Sequence, residues 1–143
     1  YGGGIMSLAL EQKLAIHELL GRAAYAYDER DMALLESGFA SAATMSMRIA
    51  GGDLIGPFEG RDAIMQLMHN SMAQQTDVRR HVISNIFFEE ESGQPVVVSN
   101  LTLVATENGK AALLAAGVYR DTVIEEGGHW RILKRHVELD SSY

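Results

Sequence analysis

Arg80-His81-Val82-Ile83-Ser84-Asn85-Ile86-Phe87-Phe88 alternates apolar with polar residues and is rich in β-branched and aromatic side chains, which predicts a strand. With a period of two, His81, Ile83, Asn85 and Phe87 fall on one face, and Arg80, Val82, Ser84, Ile86 and Phe88 on the other. An imidazole and a carboxamide thus share a largely apolar face. Burying either without a partner costs roughly 1–3 kcal/mol. A polar partner or a cavity must meet them, and the best partner elsewhere in the chain is Asp28.

Working outward, residues 8–29 carry apolar side chains at helical spacing: Leu10, Leu14, His17, Leu20 or Gly21, Ala24, and Tyr27 or Asp28. Asp28 closes this helix, where the macrodipole favours cations. It is either a solvated residue leading into the Arg30-Asp31 turn or a carboxylate held there for function. Asp31 caps a short helix over residues 32–39. Residues 44–49 and 54–58 read as a hairpin about Gly51-Gly52-Asp53. Gly60-Arg61-Asp62 opens a third helix to about residue 75, with Ile64, Leu67, Met68, Ser71 and Met72 facing inward. His69 borders the same side or lies on the surface. Three further strands follow at 95–105, 111–124 and 130–139, joined by Glu107-Asn108-Gly109-Lys110 and Glu125-Glu126-Gly127-Gly128. Helices followed by hairpin-linked strands predict an α+β layout, with helices packed on one side of a curved antiparallel sheet.

The 143 residues are 47% hydrophobic and include no cysteine, which suits one domain without a disulfide framework or thiolate metal site. Residues 1–5, Tyr-Gly-Gly-Gly-Ile, read as non-native leader, making 6–143 the expected domain and Met6 its start. A net charge of −7 disfavours nucleic acid and anionic membrane as partners. With no expected signal peptide or membrane span, the expected location is cytoplasmic. His17, His69, His81, His129 and His136 show no metal-ligand spacing, so no metal is expected. His136 shares a strand face with Trp130 and Ile132 and is a candidate to reach the interior. Met45, Met47, Met65, Met68 and Met72 suit either a pocket for a flat apolar ligand or ordinary core filling. Small residues at Ala112, Ala115, Ala116 and Gly117 leave room in the sheet.

The order of elements, with Tyr25-Ala26-Tyr27-Asp28-Glu29-Arg30-Asp31, Gly60-Arg61-Asp62-Ala63-Ile64 and Arg80-His81, resembles the nuclear-transport-factor-2-like superfamily. Within it the chain is most similar to the SnoaL-like branch that includes scytalone dehydratase and hexachlorocyclohexane dehydrochlorinase. The resemblance implies a cystatin-like cone, with three N-terminal helices on the concave face of the sheet. It implies that His81 abstracts a proton, that Asp28 orients it, that Tyr27 binds a substrate oxygen, and that no cofactor takes part. Asn100 falls at about the position of the dehydratase's second histidine. With Asn85, Met68 and His136 it completes the candidate substrate-binding set. The dehydratase's hairpin tyrosine and later Ser and Asn have no counterparts here, so a scytalone-like substrate is not implied.

Arg80 to Ile86, Val98-Ser99-Asn100 and the run from Trp130 to Asp140 also resemble the small β subunit of aromatic-ring-hydroxylating dioxygenases. The leading expectation is a cofactor-independent lyase, of dehydratase or elimination type, acting on a small aromatic or alicyclic compound. The alternatives are a non-catalytic subunit of that kind and a ligand-binding module. A homo-oligomer, dimer or trimer, is expected through the opposite face of the sheet.

Overall fold

The structure is a computed structural model and describes residues 8–143. The reading of residues 1–5 and of Met6 therefore lies outside the described residues. Helices α1 (Leu10–Asp28) and α2 (Met32–Ser37) precede strands β1 (Phe39–Ile49) and β2 (Ile55–Glu59). Helix α3 (Arg61–Ala73) leads into β3 (Val78–Glu91), β4 (Gln94–Glu107), β5 (Lys110–Glu126) and β6 (His129–Leu139). The strands form one curved sheet in the order β2-β1-β6-β5-β4-β3. This is the expected α+β, cystatin-like architecture. One pairing departs from it: β1 runs parallel to β6, because the chain returns to β1's edge only after the long β3–β6 meander. The third helix follows the first hairpin, as its Gly60-Arg61-Asp62 start predicts. No helix among the described residues is long and apolar enough to cross a membrane.

Helix α1 turns a different face inward from the one its leucines predict. Ile16, Leu19, Leu20, Ala23 and Ala26 are buried, whereas Leu10 and Leu14 are exposed and His17 lies outside against Phe88. The inward stripe is set by packing on Phe39, Ile64, Val97, Leu101 and Ile132. Asp31 caps α2 by accepting from the Leu34 amide, as its residue type predicts. Helix α2 stops at Ser37, short of the expected end, because Phe39 already belongs to β1 and is fully buried.

Bulges decide which side chains face the helices. The β3–β4 register shifts by one residue between Ser84 and Phe87, at Asn85, whose φ of 54° is left-handed. The alternation reverses there: His81 and Ile83 face the helices, and so do Ile86 and Phe88, while Asn85 and Phe87 are exposed. A second shift, across Ile132 to Lys134, does the same in β6. Beyond it Arg135, Val137 and Leu139 point inward and His136 points outward.

The small residues of β5 have a packing role that the sequence left open. A Cβ on Gly117 would sit on the Glu138 carbonyl oxygen and 3.1 Å from the Leu139 Cα. The room expected there is thus taken up by the close approach of β6. Gly117→Ala is expected to lower stability by about 1–3 kcal/mol, the usual cost of overpacking. Urea denaturation measures it, and an unchanged midpoint would contradict this account of the β5–β6 contact.

Candidate active site

Strand β3 is an edge of the sheet, so alternate backbone N–H groups along it lack a strand partner. The free N–H of His81 is met by Asp28, the last residue of α1, whose Oδ2 accepts it at 2.8 Å. The other oxygen of the same carboxylate lies 2.5 Å from His81 Nδ1. Both side chains are largely buried, at 13% and 6% exposure. An ionised carboxylate only accepts, so Nδ1 carries the proton and Nε2 is left as the basic nitrogen. The expected pairing of Asp28 with His81 is thus present.

The turn after α1 fixes the carboxylate. Arg30, at φ 57°, donates to the Met72 and Gln75 carbonyls at 3.2 and 2.9 Å. Those carbonyls lie at the C-terminal end of α3, so one guanidinium ties the two helix ends together and suits the α3 dipole. Tyr27 stands edge-on to the His81 ring, with centroids 5.0 Å apart. Its oxygen accepts from Gln75 Nε2 at 2.7 Å, which leaves its own O–H free to donate. Burial, opposed by that hydrogen bond, raises its pKa, so the hydroxyl stays protonated at neutral pH.

His81 and Tyr27 line a cavity of about 130 Å³ between the helices and the sheet. Its wall is mostly apolar and includes Met45, Met47 and Met68, which places Met68 where the sequence put it. Three other expected binding residues do not reach it. Asn85 is exposed because of the β3 bulge, and Asn100 is exposed because Leu101 holds the inward position on β4. His136 is turned to the far face by the β6 bulge. His69 is exposed on α3.

Arg135 takes the inward place on β6, and sequence reasoning missed it. It lines the cavity and pairs through two hydrogen bonds, at 2.8 and 3.0 Å, with the fully buried Asp121. Its guanidinium also stacks over the Tyr119 ring at 4.0 Å. Burial opposes the Arg135 charge, but the Asp121 charge and hydrogen bonds outweigh burial and raise its pKa. Arg135 is therefore cationic at every working pH. Sequence offered no clear signal, since Arg135 is one of several charged residues in β6 and Asp121 stands beside Arg120 in β5.

A model of the SnoaL-like domain matches residues 8–136. The chain belongs to the SnoaL-like family. Similar solved structures include a Nostoc punctiforme protein of unknown function with a cystatin-like fold, 24% identical over 94% of this chain and 96% of that one, with a TM-score of 0.76. Aln2 from a Streptomyces species is 21% identical over 94% and 95% of the two chains, with a TM-score of 0.78. A candidate scytalone dehydratase from Novosphingobium aromaticivorans is 22% identical over 91% and 85%, with a TM-score of 0.73. At these identities the likeness establishes the SnoaL-like fold. No curated protein matches the chain.

Two outcomes test this geometry. Nitrogen NMR of the imidazole should show His81 as the Nδ1–H tautomer in the wild type and a mixed population in Asp28→Asn. An unchanged tautomer would mean that Asp28 does not hold the ring. Burial also pushes the Tyr119 hydroxyl up from 10.0 to about 12. The folded chain holds that proton more tightly than the unfolded one, so this contribution to stability is complete below pH 10 and lost as pH rises through about 12. Denaturation across that window should show a shallower alkaline loss in Tyr119→Phe than in wild type.

Proposed function

We propose that this SnoaL-like protein is a cofactor-independent lyase that starts from removal of a carbon-bound proton. The observation that carries the reading is the double grip of Asp28 on His81. One carboxylate fixes both the backbone position and the tautomer of an imidazole whose other nitrogen is basic. The ring lines a mostly apolar cavity. Such an environment favours a general base.

The residues suggest their roles. His81 Nε2 takes a proton from a carbon next to a carbonyl, and the electron pair moves onto the carbonyl oxygen. Tyr27 O–H donates to that oxygen, and Arg135, whose charge Asp121 already balances, lines the same cavity as a further polar group. The enolate then expels a hydroxyl or halide from the neighbouring carbon. A departing hydroxyl takes the proton back from the His81 imidazolium and leaves as water, while a halide leaves as the anion. Asp28 keeps its negative charge throughout and stabilises the imidazolium. A cavity of about 130 Å³ is close to the roughly 150 Å³ that holds a benzene-sized ligand, which favours one small aromatic or alicyclic ring.

The test uses single-ring β-hydroxy and β-halo ketones in deuterated water, with proton exchange and elimination followed by NMR. His81→Ala is expected to lower the rate by about 10²–10⁴-fold, the usual worth of a general base. Asp28→Asn should lower kcat with the ring still bound, and Tyr27→Phe should lower it less. Binding of these ketones with exchange no faster than in His81→Ala would replace the lyase by a ligand-binding module.

A further inference from the structure

The outer face of the sheet carries a second hydrogen-bonded histidine, and parallel pairing creates it. Ser46 on β1 lies beside His136 on β6, and Arg48 lies beside Glu138 one step along the same face. The Ser46 oxygen is 2.8 Å from His136 Nδ1, and His136 Nε2 is 2.5 Å from Glu138 Oε2. A carboxylate accepts only, so in the neutral ring Nε2 carries the proton. Nδ1 is then the acceptor, and the Ser46 hydroxyl is the donor. This is the order hydroxyl, imidazole, carboxylate that activates a serine nucleophile, with the roles of the two ring nitrogens exchanged relative to chymotrypsin.

Ser46 and His136 line a hollow of about 250 Å³ together with Arg120 and Lys134. Arg120 is held by Glu89 at 2.5 Å and Glu91 at 3.6 Å. Lys134 is exposed and forms no ion pair among the described residues. The hollow thus has a hydroxyl, a base oriented by an acid, and an uncommitted cation. The sheet separates it from the cavity that holds His81.

We propose that Ser46 is the nucleophile of a second site that accepts acyl groups from activated esters. Its oxygen attacks the ester carbonyl carbon while its proton passes to His136 Nδ1. Glu138 stabilises the imidazolium, and the Lys134 ammonium balances the tetrahedral oxyanion. Collapse breaks the bond to the aryl oxide, which leaves with the proton from His136, and the acyl group remains on Ser46. Water, giving its proton to His136, then cleaves that ester to the carboxylic acid and restores Ser46.

The experiment is timed acetylation of the whole chain by para-nitrophenyl acetate, located by peptide mass mapping. Ser46 should acetylate about 10²-fold faster than the exposed Ser41 and Ser92, and His136→Asn should remove that advantage. His81→Ala should leave the Ser46 rate unchanged, because that histidine lies on the other face. Acetylation of Ser46 no faster than Ser41 and Ser92 overturns the proposal. So does a natively folded His136→Asn chain that keeps the wild-type rate.

Discussion

The site depends on how an edge strand satisfies its backbone. Strand β3 has a neighbour on one side only, so the outward N–H of His81 needs an acceptor that the sheet does not supply. Helix α1 supplies it from its last residue, and the Asp28 carboxylate has a second oxygen to spare for the imidazole. One group therefore docks the helix on the sheet and sets the protonation of a base. A carboxylate at the C-terminus of a helix opposes the macrodipole. Its two hydrogen bonds to His81 offset that cost, and Arg30 brings a compensating cation to the neighbouring end of α3.

Polarity is distributed around this grip so that few groups inside lack a role. The cavity wall is apolar methionine and leucine, interrupted by Tyr27, Tyr119 and Arg135. Arg135 would be costly there alone, but Asp121 meets it with two hydrogen bonds, and the pair is buried as a unit. A fixed cation and a protonated phenol then stand in the same cavity as the basic nitrogen of His81. The arrangement suits chemistry that moves negative charge from carbon to oxygen.

The chain also carries two imidazole–carboxylate pairs on opposite faces of one sheet, and they use opposite ring nitrogens. Asp28 holds His81 at Nδ1, whereas Glu138 holds His136 at Nε2. The first exists because a helix end meets an edge strand. The second exists because residues two apart on β6 share a face, and the parallel pairing with β1 then brings Ser46 to the ring's other nitrogen. Each carboxylate selects the tautomer and so decides which ring nitrogen is left as the acceptor.

Sequence by itself determined most of the elements and named Asp28 and His81 as candidate partners, whose contact is a property of the tertiary structure. The alternation around His81, the helix ending in Tyr27-Asp28, the turn signals and the small residues of β5 are local features, and local periodicity reads them well. Only the tertiary structure decided the rest of the cavity. Single-residue bulges at Asn85 in β3 and before Lys134 in β6 reverse the alternation, so Asn85 and His136 leave the interior and Arg135 enters it. A period of two carries no mark of where it will slip. The inward face of α1 was likewise set by the sheet beneath it, since Leu10, Leu14 and Ile16 are equally apolar in sequence and only Ile16 is covered. Composition chooses which residues can be buried. The register of strands that meet across the whole chain chooses which ones are.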